Sequence, residues 1–77
     1  PVKAEQWRAL GPEALALLQK KALATDGFPT VRARAAEALG LVGGAEHASP
    51  LLALATDGNT PLIVRMSAVR GAGKLVP

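Results

Sequence analysis

The side chains equipped for covalent or acid–base chemistry are few, and their spacing brings no two of them together. His47 is the only imidazole in the 77 residues, and there is no cysteine. A zinc or iron site needs three or four ligands in suitable geometry, so no metal centre is expected. The same composition excludes disulfides and thiol catalysis. It leaves the redox compartment open, with the cytoplasm favoured. Ser49 and Ser67 have no His–Asp arrangement around them, and Ser49, standing before Pro50, reads as a helix cap. Glu13, Glu37 and Glu46 fall on different expected helices, with no sign of a tuned acid–base pair. The glycines are dispersed as turn residues, not gathered into a phosphate loop after a strand. No catalytic residue and no cofactor is expected, and His47 reads as a solvent-facing residue near a helix start.

What remains is charge and apolar surface. Nine Lys and Arg against six Asp and Glu give a net charge of +3, and 49% of the chain is hydrophobic. That is too apolar for a disordered tail, and no apolar run approaches the ~20 residues of a membrane span, so no membrane partner is expected. The length suits one small domain or a slice of a larger one. The chain opens on Pro1 and its sole methionine is Met66, so further sequence is expected upstream.

An internal repeat sets the organisation. Leu23-Ala24-Thr25-Asp26-Gly27 recurs as Leu54-Ala55-Thr56-Asp57-Gly58, and Val31-Arg32 recurs as Val64-Arg65. The second offset is two residues longer than the first, an insertion that a turn around Asn59, Thr60 and Pro61 absorbs cheaply. Val2-Lys3 with Ala9-Leu10-Gly11 echoes Val31-Arg32 with Ala38-Leu39-Gly40 as a third copy. Within the unit, Val31, Ala35, Ala38, Leu39 and Val42 trace one face of a 3.6-residue helix, and Val64, Ala68, Gly71, Ala72 and Leu75 repeat it. Strict alternation is missing, so helix is preferred to strand.

The punctuation predicts five helices, near 2–10, 13–25, 30–41, 46–56 and 62–74. Pro29 and Pro61 suit first turns, Thr60 suits a cap, and Gly27 and Gly58 suit left-handed helix ends. Gly11-Pro12 and Gly43-Gly44 break the chain between units. The fold expected is all-α, a right-handed α-solenoid slice of nearly antiparallel helix pairs. Its alanines let the axes approach closely, and Gly71 and Gly73 weaken the last helix. Trp7 is expected to pack in the core or at a repeat junction, and Phe28 to plug the space between turns.

An aspartate-containing turn, Val-Arg, an alanine-rich stretch and Ala-Leu-Gly together resemble the HEAT repeat in its bacterial phycobilisome-lyase-like form. Asp26, Val31-Arg32, Ala35-Ala36 and Ala38-Leu39-Gly40 carry the match. The second unit keeps Asp57, Val64-Arg65, Ala68 and Gly73 but has Gly71-Ala72 in place of Ala-Leu. The resemblance implies one HEAT-like domain over 1–77, a fragment of a longer array. Residues 1–11 would be the second helix of a truncated repeat, with repeats over 12–43 and 44–77. It also implies that Arg32 and Arg65 pair with the turn aspartates Asp26 and Asp57. Glu46-His47 is similar to half of the His-Glu pairs of HEAT-like metal hydroxylases, but its order is reversed and the partner pair is missing, so that reading is rejected.

In such arrays the second helices line the concave surface. Here they carry seven basic residues against two acidic, and the rest of the chain two basic against four acidic. The resemblance therefore implies a non-catalytic scaffold binding a protein partner along this face, with Lys3, Arg8, Arg34, Arg70 and Lys74 as candidate contacts. The alternatives are nucleic-acid binding through a basic groove, and an auxiliary domain of a larger enzyme. No aromatic residues are interleaved among the cations, so base stacking has little support. Apolar faces at both ends predict end-to-end self-association or marginal stability.

Overall fold

The computed structural model of the protein describes residues 11–76. The expected helix over 2–10, with Lys3, Trp7 and Arg8, lies outside them. Gly11 holds φ +80°, a conformation that glycine adopts without strain, and Pro12 then opens α1 (Pro12–Leu23) with its φ preset. Glu13 in the first turn and Lys20 and Lys21 in the last complement the helix dipole. The helix stops when Ala24 turns extended and its carbonyl accepts the Gly27 N–H at 3.0 Å. Next, α2 (Pro29–Val42) again begins on a proline and ends as Gly43 N–H donates to the Leu39 carbonyl at 2.8 Å. One 3-10 turn, Ala45–His47, leads into α3 (Ala48–Thr56), and α4 (Leu62–Leu75) follows. The described residues contain no strand.

Several helix ends differ from the sequence expectation. Gly27 and Gly58 are not left-handed, since Gly11 is the one described residue with positive φ. Gly27 instead makes room, because a Cβ there would lie 3.3 Å from the Arg32 Cγ. Thr60 does not cap α4. Its hydroxyl donates to Asp57 Oδ2 at 3.0 Å, and Pro61 takes the cap position. Ser49 lies inside α3, because the 3-10 turn occupies the residues where the helix was expected to start. His47 closes that turn, its Nδ1 accepting the Gly44 N–H at 3.0 Å. With its side chain only 12% exposed, it does not face solvent as expected. Phe28 does not fill the space between turns. The following proline holds it extended, and it is 78% exposed.

The helices form two layers. The broadest contact joins α2 to α4, with α1 backing α2 and α3 backing α4, while α1 and α3 barely touch. The least extent of the molecule, 18 Å, matches two helix diameters. Leu18, Ala22, Leu39, Val42, Leu51, Leu54, Val64 and Ala72 make the core between the layers. At the centre of the α2–α4 contact, a Cβ on Gly40 would stand 2.4 Å from the Gly71 Cα, and one on Gly71 would stand 2.6 Å from the Ala36 carbonyl oxygen. Gly71 is therefore where two backbones meet, not a flaw in the helix. Ala33 and Ala36, absent from the expected core, are buried there too. Val31 is the converse. It is 44% exposed while Val64 is 0% exposed. Nine residues before Gly40 on a 3.6-residue helix, Val31 falls on the side of α2 away from α4.

Candidate interaction face

Arg34, Glu37 and Leu41 stand three and four residues apart along α2, and Arg70 and Lys74 one turn apart on α4, so each set shares a helix face. The α2–α4 contact sets the two rows side by side. Arg70 donates from Nε at 3.0 Å and from a terminal nitrogen at 2.7 Å, both to Glu37 Oε1. The buried Ser67 hydroxyl completes the group at 3.5 Å from the same oxygen. Both charged side chains are about half exposed. A pair in that setting contributes no more than ~1 kcal/mol, so its main effect is to fix where Arg70 points.

Beside this pair a hollow of about 230 Å³ is lined by Glu37, Leu41, Arg70 and Lys74. That is below the ~300 Å³ at which small-molecule pockets begin, and it suits one protruding side chain. A broader, more open depression of about 380 Å³ lies where α1 and the start of α3 diverge, lined by Leu15, Gln19, Lys20, Leu23 and His47 among others. Its one imidazole already spends Nδ1 on the Gly44 N–H, and the described residues hold no group of three metal-ligating side chains.

The other charged positions are placed differently. Arg32 is buried, its Nε donating to the Ala22 carbonyl at 3.1 Å, and no ion pair joins it to Asp26, which is exposed. Arg65 has a buried Nε with no hydrogen-bond partner. Asp57 accepts the Asn59 N–H at 2.9 Å and the Thr60 hydroxyl at 3.0 Å. The Asn59 N–H above all, then the Thr60 hydroxyl and the charges of Arg32 and Arg65, hold its carboxyl below the usual range. Arginines from both units thus act on one turn aspartate. Of the candidate contacts, the structure brings Arg70 and Lys74 together, places Arg34 one turn along α2 from Glu37, and leaves all three exposed. Sequence reasoning passed over Glu37 and Leu41. The signal was available: Glu37 and Arg70 occupy equivalent repeat positions with opposite charge.

Comparison with protein families then decides the architecture. The HEAT repeats family matches residues 16–75, from within α1 to the last residue of α4. The chain belongs to the HEAT-repeat family. No curated protein and no solved structure matches it. HEAT repeats are helical modules commonly used for protein interaction and are typically non-catalytic scaffolds. In this HEAT-repeat chain the second helices are α2 and α4, and the hollow lies on their shared surface.

Proposed function

We propose that this HEAT-repeat module is a non-catalytic scaffold that binds an acidic protein segment along the exposed α2–α4 surface. The carrying observation is the hollow bounded by Leu41, Lys74 and the Arg70–Glu37 pair, with Arg34 one turn away. An apolar wall ringed mostly by cations suits a segment that alternates leucine with glutamate. Leucine fills the hollow, and glutamates face Arg34 and Lys74. Electrostatics of this exposed kind govern encounter rate and selectivity more than final affinity.

A protein segment is favoured over nucleic acid by what the structure has done with the arginines. Arg32 is buried on a carbonyl and Arg70 is engaged with Glu37, so the exposed surface is less basic than the helix sequences. Fluorescence anisotropy with a labelled Glu/Leu-rich peptide and with duplex DNA, each at two salt concentrations, tests the reading. The peptide should bind, and Arg34→Gln with Lys74→Gln should weaken it about tenfold, equivalent to ~1.4 kcal/mol. Tighter DNA binding with steep salt dependence would replace the reading.

A further inference from the structure

The repeat makes two surfaces of this molecule equivalent, and one of them is covered. On α2, Ala33, Ala36 and Gly40 are buried beneath α4. Thirty-three residues on, the same positions of α4 are Met66, Val69 and Gly73, a stripe at the i, i+3, i+7 spacing of one helix face. Met66 is 50% and Val69 57% exposed, with Leu62 and Val76 extending the stripe at either end.

Gly73 is the informative member. A glycine inside a helix costs up to about 1 kcal/mol relative to alanine. Gly40 has a reason for that cost, since α4 passes where its Cβ would be. Around Gly73, no described atom lies within 4 Å of the Cβ position. The notch is built and stands open.

We propose that this face of α4 is a docking surface for a further amphipathic helix from a protein partner, packed on α4 as α4 packs on α2. The register specifies its chemistry. Arg70 holds the position on α4 that Glu37 holds on α2, so the incoming helix carries an acidic residue where α4 carries Arg70. The next residue of that helix is small, as Gly71 is, and passes over Gly73. Arg70 has capacity for this second carboxylate. It is half exposed, and its bonds to Glu37 use Nε and one terminal nitrogen. Because Met66 and Val69 replace two alanines, the incoming axis rides higher over the first turns of α4 and comes closest at Gly73. A second copy laying α4 on α4 would oppose Arg70 to Arg70, so it is disfavoured.

The probe is a lactam-bridged peptide of residues 61–75 carrying Arg70→Glu, titrated into the full ¹⁵N-labelled chain. Amide shifts should cluster on Met66, Val69, Arg70 and Gly73, and the peptide that keeps Arg70 should bind about tenfold more weakly. In the protein, Gly73→Leu should abolish binding while leaving the fold intact, because its side chain meets open space. Gly73→Ala should raise the melting temperature by about 4 °C yet weaken the peptide, opposite signs that a purely structural role does not produce. Gly73→Leu leaves Arg34 and Lys74 in place, so loss here is separable from loss of the acidic-segment surface. Absence of binding, shifts centred on Ala33 and Ala36, or self-association abolished by Gly73→Leu would each overturn the proposal.

Discussion

At the residue scale, two glycines of the same helix have opposite energetic roles. A Cβ on Gly71 would stand 2.6 Å from a backbone oxygen of α2, whereas one on Gly73 meets nothing described. Urea unfolding should therefore show Gly71→Ala destabilising by ~1–3 kcal/mol through overpacking and Gly73→Ala stabilising by ~0.5–1 kcal/mol. Equal effects of the two substitutions would contradict the packing. Asp57 makes a prediction in pH. Its folded pKa lies below the ordinary carboxylate value of ~3.9, so the stability it contributes is present above that value and lost as pH falls through the folded pKa. Thermal melts should find Asp57→Asn less stable than the native chain near neutrality, with the gap closing as the medium becomes strongly acidic. A gap independent of pH would contradict the role given to its charge.

At the element scale, α2 is the keystone because it is the one helix packed broadly on both α1 and α4. Leu39 is fully buried within it, and Leu39→Ala should cost ~2–5 kcal/mol, read by the same urea titration. Ala35→Glu puts a charge into the core beside it and should leave little cooperative unfolding transition in far-UV circular dichroism. The existence and order of the helices were legible in the sequence, because proline starts and 3.6-residue periodicity are local signals. The helix ends were harder to read. Thr60 and Ser49 have the chemistry of caps, yet tertiary geometry gave Thr60 to Asp57 and enclosed Ser49 within α3. The second face of α2 was legible only in part, since Ala33, Ala36 and Gly40 carry too little hydrophobicity to announce a contact made by backbones.

At the scale of the whole molecule, a layer of tightly joined second helices is backed by first helices that diverge. The core is small and rich in alanine, so the total stability should not exceed ~5 kcal/mol, and a value well above that by urea titration would contradict the reading. The repeat told the sequence reader which residues were equivalent, but not which copy was covered. Val31 and Val64 share a position and differ wholly in exposure, because cover depends on the neighbour and not on the unit. For the same reason Arg34 and Lys74 could be nominated from charge alone, while the hollow between them required α2 and α4 to be set side by side. Both the acidic-segment surface and the open notch of α4 depend on that register. Its most direct test is a nuclear Overhauser spectrum of the isotopically labelled chain. The account predicts a strong cross-peak between the α-protons of Gly40 and Gly71. A folded, helical chain that lacks it, or that joins Gly40 to some other segment, would contradict the account.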